Sequence, residues 1–144
     1  MRVFVDTNLW VYRLDHRQPD KSHFIARWLR ELADENEIVV STQVLIELRA
    51  VLTGKLKPAF PVADTRAALH AIAGFEVVGA DANMVLDAHE LAVAHKLSWF
   101  DALIAEAAIR SHCNVLYSED FSHGRRFGKL VVQNPFQPKG RGET

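Results

Sequence analysis

The chain has 144 residues, 49% hydrophobic and 24% charged, with a formal net charge of −1. This is one domain's worth of ordinary folded sequence, which excludes a disordered chain and any nucleic-acid binding driven by a global positive field. One cysteine, Cys113, excludes an intrachain disulfide, and no apolar run approaches the roughly 18 residues of a membrane span, so a cytoplasmic protein without a membrane partner is expected.

Val3-Phe4-Val5 is a short β-branched and aromatic run, expected as a buried strand. A helix follows over Leu9–Leu14, and another starts at Pro19-Asp20, carries Phe24, Ile25, Trp28, Leu29 and Leu32 inward, and ends at Asn36. Ile38-Val39-Val40 is the second strand, and Ser41-Thr42 caps a helix that stops at Gly54. After a loop over 55–61, Asp64 caps a helix through Ile72, and residues 75–78 form a third strand. Asp81 and Ser98 cap two alanine-rich helices. Val115-Leu116-Tyr117 and Leu130-Val131-Val132 complete five strands. Strands that are continuously apolar and alternate with helices predict a three-layer α/β/α domain around a mostly parallel five-stranded sheet. The domain is expected to span residues 1–136, with a flexible tail at 137–144.

Ligands of open parallel sheets bind beyond the carboxyl ends of the strands. There the order of elements places Asp6 after strand one, Glu47 in the helix after strand two, and Asp120 after strand four. Asp101 lies in the first turn of the helix before strand four. Each acid also has a structural reading. Asp6 can cap a helix, Ser98 and Asp101 fit a capping box, and Asp120 can form a turn. Glu47 borders an apolar stripe and has no basic residue at helical spacing, unlike Glu106, which an exposed pair with Arg110 explains. Carboxylates gathered from four segments repel one another unless a cation joins them, and an all-oxygen donor set favours Mg²⁺ or Mn²⁺. The chemistry suited to such an ion is phosphodiester or phosphoryl transfer.

The stretches "VFVDTNLWVY", "STQVLIEL", "KLSWFDALIAEAA", "VLYSEDF" and "VVQNPF" together resemble PIN-domain nucleases, most closely the VapC-type toxins of toxin–antitoxin pairs. The resemblance implies a quartet of Asp6, Glu47, Asp101 and Asp120 holding Mg²⁺ or Mn²⁺. It implies endoribonuclease activity by water attack that leaves 5′-phosphate and 3′-hydroxyl ends. Thr7, Asn8 and Ser118 match polar positions that orient acids or water, and Glu119 competes with Asp120 for the fourth acidic place. An antitoxin protein and a homodimer are the implied partners.

The basic segment Ser122–Lys129 offers Arg125, Arg126 and Lys129 to RNA phosphates, or forms a solvated loop. Its glycines do not make a P-loop, because only three residues separate Gly124 from Gly128 and Leu130 stands where Ser or Thr is needed. Seven histidines without paired spacing argue against zinc. Trp10, Trp28 and Trp99 read as packing residues. Asn8 two residues after Asp6 argues against an aspartyl-phosphate phosphatase, which wants an acid there. A DNA-cutting nuclease and a PIN-like module without chemistry remain the alternatives.

Overall fold

The computed structural model describes residues 1–137. Strand β1 (Arg2–Val5) is buried along Val3, Phe4 and Val5 and lies near the middle of the sheet. It is followed by α1 (Thr7–Leu14), α2 (Pro19–Glu35), β2 (Glu37–Ser41) and α3 (Thr42–Ala50). Then come α4 (Val62–Ala73), β3 (Glu76–Val78), α5 (Ala82–His95), α6 (Trp99–Arg110), β4 (Val115–Tyr117), β5 (Arg126–Phe127) and β6 (Leu130–Gln133). The strand order is β3-β2-β1-β4-β6-β5, and only the β5–β6 pair is antiparallel. Helix α1 packs on α2 and α3, α3 on α4, and α5 on α6, giving the three-layer α/β/α arrangement.

The sheet has six strands where the sequence predicts five. The additional one, β5, is two residues inside the basic segment, too short to leave a hydrophobic period. Gly128 at φ +61°, a conformation that favours glycine, lets Phe127 turn back so that Leu130 pairs with it. Helix α4 begins at Val62 rather than behind an Asp64 cap. Pro61 with φ −59° takes the cap position, and Asp64 sits in the first turn, where the helix dipole favours an acid. Helix α3 does not run on to Gly54. Its regular part ends at Ala50 and widens into a π turn over Val51–Lys55, after which Leu56 N donates to Val51 O at 3.1 Å. Leu52 and Leu56 are both buried there. The expected tail lies, apart from Gln137, outside the described residues.

The core joins β1, β2, β4 and β6 to inward residues of the helices, among them Leu9, Ile25, Val44, Leu48, Ile104 and Ala108. Among the described residues no helix is long and apolar enough to cross a membrane.

Candidate active site

Sequence order runs outward from β1 through β2 to β3 on one side, and through β4 and β6 on the other. The boundary between β1 and β4 is therefore the switch point at which a parallel sheet opens a crevice. The two strands run in register, Val5 opposite Tyr117, so the residues that follow them emerge side by side. Asp6 N donates to Tyr117 O at 3.0 Å. The Asp6 side chain then turns into the fold. Its Oδ1 accepts from Thr7 N at 2.7 Å and its Oδ2 from Ser118 Oγ at 2.7 Å. Asp6 thus caps α1 and anchors the crevice at once. Ser118 is fully buried, and its Oγ also accepts from Asp120 N at 3.0 Å, so one hydroxyl fixes both the Asp6 carboxylate and the loop that carries Asp120.

Glu47 arrives from α3, which Ser41 caps by accepting from Val44 N. Its Oε1 accepts from Thr7 Oγ1 at 3.4 Å and from Gln43 Nε2 at 3.0 Å. The same Gln43 nitrogen donates to Phe100 O at 3.0 Å. Gln43 therefore ties α3 to the start of α6, one residue before Asp101. In the sequence its only signal is the i,i+4 spacing of an amide and a carboxylate, Gln43 and Glu47. Asp101 is placed by the cap of α6, with Ser98 Oγ accepting from Asp101 N at 3.3 Å.

The four acids sense one another. Burial pushes the Asp6 carboxyl up to about 7; the Ser118 and Thr7 hydrogen bonds oppose the shift, and repulsion from Asp120 and Glu47 adds to it. Glu47 is raised first by burial, against Gln43 and Thr7, and then by Asp120 and Asp101. Asp101 is raised by burial and by Asp120, with Ser98 opposing. The quartet of Asp6, Glu47, Asp101 and Asp120 is thus one electrostatic cluster. Glu119 points elsewhere, towards the Tyr12 hydroxyl.

Among the described residues no arginine or lysine forms an ion pair with any of the four; the bridges of Arg2, Arg17 and Arg110 go to Glu37, Glu76, Asp15, Asp81, Asp87 and Glu106. Among the described residues no three acidic, histidine or cysteine side chains are arranged as they stand to hold a metal ion. Hard oxygen donors without a basic partner are the donor type that a divalent cation such as Mg²⁺ takes.

Other expectations fare differently. Neither Asn8 side-chain amide atom bonds any of the acids; both are enclosed without a hydrogen-bond partner among the described residues. Arg125 is held inside the fold, its Nη2 donating to His95 O at 2.6 Å and its guanidinium lying 5.1 Å from the Phe127 ring centre. Arg126 and Lys129 are exposed on the hairpin. Glu106 is buried rather than exposed, because α5 packs over it, and Arg110 bonds mainly Asp87 at 2.6 Å. Trp10 is core, donating from its indole to Val5 O, and Trp28 packs edge-on against Tyr117. Trp99 and Phe100 are 40% and 62% exposed beside Asp101 instead of packed.

The PIN domain family pattern matches residues 3–126. Among curated proteins none matches. Among solved structures, VapBC2 from Rickettsia felis, bound to a DNA fragment from its promoter, is similar at a TM-score of 0.67 and 21% identity, over 93% of this chain and 98% of that one. A toxin–antitoxin complex from Klebsiella pneumoniae gives 0.67 at 17% identity, over 94% and 99%. VapC20 from Mycobacterium tuberculosis, a sarcin–ricin-loop-cleaving toxin, gives 0.60 at 19% identity, over 82% and 89%. With the crevice acids at the switch point and the family pattern spanning most of its length, the chain belongs to the PIN domain family.

Proposed function

We propose that the protein is a Mg²⁺- or Mn²⁺-dependent endoribonuclease and the toxin of a toxin–antitoxin pair. The observation that carries this reading is the cluster of Asp6, Glu47, Asp101 and Asp120, mutually repelling and without a basic partner among the described residues. The four carboxylates would hold the ion. When bound, it supplies charge neutralisation at the phosphate and lowers the pKa of water. Ser118 and the Thr7 amide hold Asp6 in one orientation, and Gln43 and Thr7 do the same for Glu47. Asp120, the exposed member of the four, is open to an attacking water and can accept its proton. Cleavage leaves a 5′-phosphate and a 3′-hydroxyl. Arg126 and Lys129 serve as phosphate contacts at the rim.

The toxin assignment rests on the similarity to the Rickettsia felis and Klebsiella pneumoniae complexes. An antitoxin with an arginine directed at the acids would neutralise the same charge that attracts the ion. An apolar groove of about 530 Å³ between α3 and α4, lined by Leu45, Ile46, Ala50, Leu69 and Ala73, offers surface for an antitoxin helix or a second copy.

The test is cleavage of defined RNAs by partner-free protein with Mg²⁺ or Mn²⁺. Wild type should cut and Asp6→Asn should lose at least about a hundredfold in rate, the scale expected when an electrostatic anchor is removed. A wild-type protein that binds Mn²⁺ but cuts no RNA sinks the reading, and equal cutting of DNA would move it to a general nuclease.

A further inference from the structure

We propose that a groove along α1 and the end of α3 is a binding subsite for the nucleotide adjoining the cleaved phosphate; this rests on the ribonuclease reading and names how that site holds its strand. The groove has a volume of about 380 Å³, the size of small-molecule pockets in general. One end is the acidic crevice itself, through Thr7, Glu47 and Asp120. Val11, Val51 and Leu56 give it apolar surface beside Tyr12, and Asp15 and Gln18 give it polar surface. Lys55 also lines it.

The geometry of α3 makes this arrangement. Glu47, Val51 and Lys55 follow at steps of four, and all three line the groove. The π turn over Val51–Lys55 carries the lysine at the end of this row. Lys55 therefore stands on the groove about two turns along from Glu47, beside the acids and not among them. Arg17 also lines the groove, but Asp15 holds its guanidinium through bonds of 2.9 and 3.0 Å. Lys55 is exposed and makes no ion pair with a described residue, which leaves its charge for a ligand.

Each part matches a piece of a nucleotide. The ammonium suits a phosphate, and the valines with Tyr12 suit the face of a base or sugar. Continuity with the acids explains how a protein of net charge −1 can attract a polyanion to an acidic site: the cation stands beside the repelling cluster and not within it.

The experiment measures binding separately from cutting. Asp6→Asn protein, full-length, is titrated against fluorescently labelled single-stranded RNA over a series of salt concentrations, alone and with Lys55→Ala or Arg30→Ala added. Arg30 is an exposed cation on α2, away from the groove, and controls for bulk charge. Lys55→Ala should weaken binding roughly fivefold or more at low salt and reduce the slope of log affinity against log salt by about 0.7, one phosphate contact on a single strand. Arg30→Ala should change neither. In the wild-type background, Lys55→Ala should raise KM and leave kcat within about twofold. Unchanged affinity and slope for Lys55→Ala, or an equal loss for Arg30→Ala, overturns the subsite. Failure of wild type to cut RNA overturns the ribonuclease reading instead, so the two failures are distinguishable.

Discussion

Asp6→Asn should make the metal-free protein more stable at neutral pH. The substitution is nearly isosteric. Its amide oxygen can still accept from Thr7 N, and its NH₂ can donate to Ser118 Oγ in place of accepting from it. What it removes is a carboxylate whose pKa is displaced from 3.8 to about 7, chiefly by burial. The folded protein binds this proton more tightly than the unfolded chain does. Stability from the group is therefore full below about pH 4 and is lost as pH rises towards 7. Three decades of proton affinity at 1.36 kcal/mol each amount to about 4 kcal/mol at pH 7.5. Relaxation of Glu47 and Asp120 away from Asp6 reduces this, and an expected gain of about 2 kcal/mol translates to a Tm increase of roughly 5 °C or more for a chain of this size. Thermal unfolding of both proteins in chelator, from pH 4.5 to 8, is the assay. The gap should shrink steadily as pH falls. Adding Mn²⁺ at pH 7.5 should raise the wild-type Tm and leave the variant nearly unmoved. A variant less stable than wild type in chelator at pH 7.5, or a gap independent of pH, would refute the claim that this acid is held under electrostatic strain.

Two further outcomes follow from individual hydrogen bonds. Gln43→Leu removes the amide that bridges Glu47 and Phe100 O; the expected result is a roughly tenfold higher Mn²⁺ concentration at half-saturation in the cleavage assay, with Tm changed by only a few degrees. Restored half-saturation in Gln43→Asn is not expected, because the shorter side chain cannot reach both acceptors; recovery there would count against the bridge. Ser118→Ala leaves buried Asp6 Oδ2 and Asp120 N without their shared partner, and chemical denaturation should read a loss of about 1–3 kcal/mol. A neutral Ser118→Ala would mean that water replaces the hydroxyl at no cost.

The crevice was legible because its parts sit where local chemistry is strict. Asp6, Ser41 and Ser98 are helix caps in sequence and in structure, so the starts of α1, α3 and α6 were fixed by short-range rules, and with them the approximate places of Glu47 and Asp101. Parallel order then brought Asp6 and Ser118 together. What escaped was set by tertiary packing. The β5 strand exists because Leu130 pairs back on Phe127, and two residues carry no period of their own. Arg125 reads as a free cation until the hairpin folds it onto His95 O. Glu106 reads as exposed until α5 covers it, and Trp99 as core although nothing in its helix requires that side chain to be covered. Which of Glu119 and Asp120 joins the acids is set by loop geometry: Asp120 faces the other acids while Glu119 faces Tyr12.

The two rims of the sheet bear on how the protein meets other chains. On one side the outermost strand, β3, has three residues, and its Glu76 is engaged by the Arg2 guanidinium from β1. On the other, β5 occupies the flank of β6 with only two residues, and its Arg126 points to solvent. Neither rim presents the long, flat ladder of free amides and carbonyls on which an incoming strand could extend the sheet. Association is left to the helical faces, where Ile46, Leu86 and Val93 stand 64–69% exposed. Association through those faces would not require the register of β1 against β4, the seam that positions Asp6, to change.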